Sequence, residues 1–236
     1  MFDLLIRNAQ VLDGTGAPAY LADVAVKDGK IAAVGKLSGE AAETVDAAGL
    51  TLAPGFIDVH GHSDFFMPLD PARASKLLQG VTTELCGQCG LGPAPVTEQN
   101  YPVYHKYLSQ QGIPMYPDDR TFTSFSAYLS RMEQTPAGIN LAYFIPHGTV
   151  RLAVMGFSHD APDDRQLAQM RELVEDAMQA GALGLSTGLA YAPGRFAATD
   201  ELAALTEPVG RYGGIYTSHL RDQGDQLEQS VQEAID

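Results

Sequence analysis

Cysteine is nearly absent from this chain: Cys86 and Cys89 are the only two in 236 residues. A secreted domain stapled by disulfides carries more cysteines, spread along its length, so that class is excluded. Long apolar runs are missing too. No stretch approaches the roughly 20 residues that a membrane-spanning helix requires, and no membrane partner is expected. Met1 to Ile6 is apolar apart from Asp3, but Arg7 and Asn8 break the run too early for a secretory leader. These features lead us to expect a cytoplasmic protein. Basic residues are scarce, 15 Lys and Arg against 29 Asp and Glu, for a formal net charge of -14. An acidic surface repels a phosphate backbone, so nucleic acid is not an expected partner, and the plain reading of the charge is solubility. Internal repeats and low-complexity runs are also lacking, and nothing sets an oligomeric state. What is abundant is ordinary core material. The hydrophobic fraction is 45%, enough for one large domain or for a small domain and most of a second.

The first fifty residues read as short strands: Phe2–Leu12, Ala22–Lys27, Lys30–Val34, Val45–Ala47 and Leu50–Leu52. Asp28-Gly29 between the second and third is a strong hairpin signal. Five strands without a helix predict a β-sandwich segment over residues 1–54. At Pro54-Gly55 the pattern changes to strands alternating with helices. Strands are expected at Phe56–His60, Val81–Leu85, Leu141–Ile145, Ala182–Ser186 and Gly214–Ser218. Helices are expected at Pro71–Gln79, with Asp70 as N-cap, and at Phe122–Met132, Asp164–Ala180, Asp200–Val209 and Leu227–Ile235. In the third of these, Leu167, Met170, Leu173, Val174, Ala177 and Met178 form one apolar stripe. Residues 91–120 read as a long loop. Alternation of this kind implies a parallel sheet, and a closed (β/α)8 barrel takes about 250 residues. Residues 55–236 are therefore expected to hold about five strands of such a barrel, cut short at the C-terminus.

The sharpest chemical signal is His60-Gly61-His62, following the strand from Phe56. Side chains two apart on a strand share a face, so both imidazoles should project at the active end of the barrel, where they suit zinc or a similar divalent ion. The bland alternative is a pair of surface histidines. Cys86-x-x-Cys89 could be a redox pair or half of a structural zinc site; a four-cysteine site is excluded, and the redox reading lacks a thioredoxin-like context. His219 follows the apolar strand Ile215–Ser218. His147 ends the third strand, whereas His105 and His159 lie in loop-like segments and are expected at the surface.

The run Ala53-Pro54-Gly55-Phe56-Ile57-Asp58-Val59-His60-Gly61-His62 resembles the first-strand signature of the amidohydrolase superfamily. Asp3–Ala9 and Asp28-Gly29-Lys30-Ile31 look like the small β-sandwich that those enzymes build from both chain ends. Gly87-Gln88-Cys89-Gly90, Gly184–Tyr191 and Thr217-Ser218-His219-Leu220-Arg221 resemble, in order, the second, fourth and fifth strand ends of its D-aminoacylase branch. The resemblance covers essentially the whole chain.

That resemblance implies a zinc-dependent hydrolase of N-acyl-D-amino acids, a small-molecule substrate, and one or two Zn2+ ions held by His60, His62, Cys89 and His219. Cys86 is then a small buried apolar residue. His147, Ser186 and Tyr191, at the strand ends, become candidates for contacting substrate. Tyr191 could equally be a packing residue, and Arg221 could touch a substrate carboxylate or pair with Asp222 or Asp225. No catalytic residue is assigned, because the resembled family places its acid–base Asp on an eighth strand, beyond residue 236. Two other readings stay open: a dihydroorotase- or hydantoinase-like cyclic amide hydrolase, and a non-catalytic metal-binding scaffold. The cyclic amide hydrolases commonly use a carboxylated lysine on the fourth strand, and Ala182–Leu189 contains none.

Overall fold

The computed structural model describes residues 1–66, 74–113 and 122–236. The chain divides into two compact units, Met1–Gly55 and Phe56–Asp236.

The first unit contains β1 (Phe2–Val11), β2 (Tyr20–Lys27), β3 (Lys30–Gly35), β4 (Ala41–Asp46) and β5 (Thr51–Leu52). They form one mixed sheet in the order β3-β2-β1-β4, with β5 also on β1. The β2–β3 hairpin turns at Asp28 and Gly29, both at positive φ (52° and 70°), the combination that a two-residue type I′ turn requires. Ala9, Val11, Ala22, Val24 and Ala47 make one apolar face. The expected strand Val45–Ala47 starts four residues earlier, at Ala41. Ala41-Ala42-Glu43-Thr44 has little strand propensity of its own, and its conformation comes from parallel pairing with β1.

The second unit is an α/β arc. β6 (Phe56–Asp58), β7 (Val81–Cys86) and β8 (Asn140–Tyr143) pair in parallel, as do β9 (Ile145–Pro146), β10 (Gly184–Gly188) and β11 (Ile215–His219). Only Phe144 separates β8 from β9. Its N–H donates to the Cys86 carbonyl, while the Leu183 N–H donates to Tyr143 across the same junction. The two short sheets are thus one continuous run of five barrel strands in sequence order. Parallel strands bring every C-terminal end to the same edge, where barrel chemistry resides. The edge strands leave Phe56, Ile57 and Ile215 exposed.

Seven helices accompany these strands among the described residues: α1 (Ala74–Leu77), α2 (Tyr101–Gln110), α3 (Phe125–Glu133), α4 (His147–Met155), α5 (Asp164–Gln179), α6 (Thr199–Arg211) and α7 (Leu227–Ile235). α5 opens with a capping box: Asp163 accepts from the Gln166 N–H, and the Gln166 side chain accepts from the Asp163 N–H. Its predicted stripe faces the core, where Met170, Val174, Ala177 and Met178 pack with Phe125, Tyr128, Ile145, Leu185 and Leu205.

Three expectations change. The loop read over 91–120 contains α2, because Pro102 sits in the first turn, where it is tolerated, and Tyr104 and Leu108, four apart, are both buried. α4 follows β9 with no intervening loop, so no turn residue between strand and helix signals its start. The strand at Phe56 ends at Asp58, so His60 and His62 lie beyond it and converge through a turn rather than by strand alternation. The expected helix Pro71–Gln79 is seen as Ala74–Leu77, and its part before Ala74, with the Asp70 cap, lies outside the described residues.

Candidate metal centre

The His60-Gly61-His62 turn is built on a buried carboxylate. The Gly61 N–H donates to Leu85 at 3.0 Å, laying the turn along β7. A side chain at Gly61 would place Cβ 1.8 Å from Glu84 Oε1, so glycine is required for this approach. Glu84 is fully buried and accepts from the Ser63 N–H (3.3 Å) and hydroxyl (2.5 Å). Lys76 pairs with both Asp58 and Glu84. Asp64, also buried, accepts from the Gly87 N–H at 3.1 Å, and burial raises its carboxyl to about 7. The first-strand loop is thereby tied to the turn after β7.

That second turn, Gly87-Gln88-Cys89-Gly90, places Cys89 at φ 57°, between Gly87 at 72° and Gly90 at 66°. Left-handed backbone at a non-glycine residue costs on the order of 1–3 kcal/mol and persists where neighbours enforce it. Here it carries Sγ to 3.2 Å from His60 Nε2. Donor atoms of His60, His62 and Cys89 all lie within 4.8 Å of one another, the one such trio among the described residues. Tetrahedral zinc with Zn–N near 2.0–2.1 Å and Zn–S near 2.3 Å needs donors about 3.4–3.6 Å apart, so the set fits after small side-chain rotations. Burial pushes the Cys89 thiol up, with the Tyr191 hydroxyl pulling the other way. Burial first, and then the neighbouring His60, holds the His62 imidazolium below its ordinary range. Both shifts express a site that rejects uncompensated charge.

The remaining predicted residues divide by what they touch. His219 closes β11 and faces the Tyr191 ring edge-on at 5.2 Å, outside the His60–His62–Cys89 trio. The Tyr191 hydroxyl donates to the Cys89 carbonyl at 2.7 Å. Ser186 is fully buried; its hydroxyl donates to the Gly87 carbonyl and accepts from the Gly90 N–H at 3.1 Å. His147 is fully buried, bonding Glu201 through Nε2 at 2.8 Å, and Glu201 also pairs with buried Arg151. Arg221 pairs with Glu233 rather than with Asp222 or Asp225, and donates to the Arg195 and Ala197 carbonyls. Cys86 is fully buried in the core, and burial pushes its thiol up.

Two contributors escaped sequence reasoning. Gln88 spans the barrel interior, donating to the Val59 carbonyl at 2.9 Å and accepting from the Thr217 hydroxyl at 3.1 Å, which links the first and fifth strand ends. Its signal was adjacency to Cys89. Glu84 carried one too, a carboxylate on a strand, Val81–Cys86, of a parallel sheet that is expected to be buried.

Comparison with known proteins adds to this geometry. The sequence profile described as "Amidohydrolase family" matches residues 43–214, most of the chain. The chain belongs to the amidohydrolase family. Within it, the likeness is to the D-aminoacylase branch. D-aminoacylase of Alcaligenes xylosoxydans xylosoxydans is 40% identical over 99% of this chain and 47% of its own length. The chain thus spans about half the length of the curated relatives it matches. Among solved structures, N-acyl-D-glutamate deacylase of Bordetella bronchiseptica, complexed with zinc and a phosphonate mimic of the tetrahedral intermediate, superposes with a TM-score of 0.89 at 35% identity. It covers 99% of this chain and 48% of that one. A D-aminoacylase structure concerned with its binuclear metal centre gives a TM-score of 0.89 at 36% identity, with the same coverage.

Proposed function

We propose that the protein containing this chain hydrolyses the amide bond of N-acyl-D-amino acids, releasing a D-amino acid and a carboxylate, with one or two zinc ions held by His60, His62, Cys89 and His219. The observation that carries this reading is the gathering of two imidazoles and a thiol within 4.8 Å at the C-terminal ends of adjacent barrel strands. The zinc-bound deacylase likeness supports it. A bound divalent ion supplies Lewis acidity, polarising the amide carbonyl and easing deprotonation of the attacking water.

This chain's own residues then hold and orient. Gln88 spaces the first and fifth strand ends, and the Glu84–Ser63 bonds fix the turn that carries the two histidines. A carboxylate must still carry the proton from water to the leaving amine. By resemblance to the amidohydrolases that proton carrier belongs on a later barrel strand, and we assign it to the part of the protein after residue 236; Asp58 is engaged by Lys76 and the His60 N–H, and Asp64 lies buried against the Gly87 N–H. The substrate is a small molecule. No helix among the described residues is long and apolar enough to cross a membrane, and a cytoplasmic location fits the acidic, cysteine-poor composition.

The test uses the full-length protein with zinc on N-acetyl-D-methionine, N-acetyl-L-methionine and a cyclic imide. Turnover of the D-isomer, abolished by chelator and restored by zinc, is expected. Preference for the L-isomer or the imide overturns the substrate assignment, and turnover that chelation leaves unchanged overturns the metal.

A further inference from the structure

We propose that Ser186, seconded by Tyr191, is a positioning residue that locks the Cys89 turn so that its sulfur is presented to the metal. The proposal rests on the reading of Cys89 as a ligand. Its place on the fourth barrel strand near the C-terminal end makes Ser186 a candidate for meeting substrate. Its surroundings do not suit that role. The side chain is fully buried, and its single O–H is donated to the Gly87 carbonyl. The same oxygen accepts the Gly90 N–H at 3.1 Å. One hydroxyl therefore bonds both ends of the Gly87-Gln88-Cys89-Gly90 turn, using its only proton and one lone pair.

The rest of the strand acts on the same turn. The Tyr191 hydroxyl donates to the Cys89 carbonyl at 2.7 Å. Gly188 lies so close that a Cβ there would stand 2.2 Å from that carbonyl oxygen. Three residues from β10 and the loop after it thus grip a turn whose middle holds a cysteine in left-handed backbone. Rotation of that peptide would swing Sγ away from His60 Nε2, now 3.2 Å distant. Outer groups that orient a ligand typically change metal affinity by ~10–100-fold when removed.

The experiment uses the full-length protein and cobalt(II) as probe, because a cobalt–thiolate bond gives a charge-transfer absorption that reports the Cys89 sulfur directly. Ser186→Ala is expected to remain folded by circular dichroism and to speed hydrogen exchange at the Gly90 amide in the metal-free protein. It should also weaken cobalt binding by ~10–100-fold and remove much of the charge-transfer band. An unchanged affinity and band in the folded variant overturn the proposal. Should Ser186→Ala fail to fold, Tyr191→Phe decides, since it deletes only a hydroxyl and keeps the ring against His219. A reduced band supports the clamp, and an intact one refutes it. Failure of the metal reading looks different: the wild-type protein shows no thiolate band, or the band survives Cys89→Ala, and the positioning role falls with it.

Discussion

Replacing Glu201 by alanine strands two buried side chains at once. Glu201 is 4% exposed and lies in the first turn of α6, while His147 and Arg151, on α4, are wholly buried. One carboxylate oxygen bonds His147 Nε2 at 2.8 Å and the other meets the Arg151 guanidinium. Burial alone raises the Glu201 carboxyl, but His147 and Arg151 outweigh it and hold the group below its ordinary range. Without the carboxylate, the Arg151 cation keeps only the Asp160 carbonyl at 2.7 Å and the distant Ser158 carbonyl at 3.4 Å. Removing one partner of a buried ion pair costs about 3–5 kcal/mol, and at roughly 1 °C per kcal/mol for a protein about twice the length of this chain the unfolding midpoint should fall by about 3–5 °C. The loss should reach the metal centre, because α4 begins against the Cys89 turn: a Cβ on Gly148 would stand 2.6 Å from the Gly90 carbonyl oxygen. The assay is thermal unfolding of the full-length protein for Glu201→Ala, Arg151→Met, and Glu201→Leu combined with Arg151→Met. The double variant should recover much of the lost stability, since it removes the stranded cation along with its partner. A Glu201→Ala shift below about 1 kcal/mol, or a double variant as unstable as the sum of the singles, would refute the reasoning.

Gly61→Ala should cost roughly 1–3 kcal/mol and lower zinc stoichiometry, because the new Cβ meets a Glu84 carboxylate that cannot swing away without stranding Ser63; unfolding midpoints and metal analysis check this, and full zinc with wild-type stability would contradict it. Arg221 holds the Glu233 carboxyl below its ordinary range, chiefly by hydrogen bonding. A depressed carboxylate stabilises the fold above the unfolded glutamate range and loses that contribution as pH falls through the depressed folded value. Arg221→Met should therefore lower the midpoint near neutral pH and converge with wild type in acid, on a pH series of thermal melts; a gap that widens toward acid would reverse the sign we assign.

Much of the architecture follows from local chemistry. Asp28-Gly29 demands a two-residue hairpin wherever the flanking strands pair, and the turn appears with both residues at positive φ. Asp163 and Gln166 cap α5 reciprocally because both partners lie within one helical turn. The β/α alternation and the His-x-His, Cys and His positions at the first, second and fifth barrel strand ends were legible as spacing along the chain. Even so, the histidine pair converges through the Gly61 turn and not through a strand, since packing on Glu84 sets the path after Asp58.

Other features depend on partners far away in sequence. β4 owes its conformation to β1, some forty residues earlier, and α4 shows no punctuation between strand and helix. Ser186 bonds groups 96 and 99 residues away, Tyr191 reaches one 102 residues away, and Gln88 meets Thr217 across 129. A hydroxyl at a strand end can face substrate or a backbone turn with the same neighbours in sequence. Which it does depends on the unsatisfied carbonyl and N–H that the fold brings within hydrogen-bond reach. The sequence alone therefore singled out His60, His62 and Cys89 as candidates, and the fold gathers their donor atoms within 4.8 Å. Only the tertiary structure decided which polar groups must satisfy the turn that holds the cysteine, because buried hydrogen bonds are settled by proximity in space.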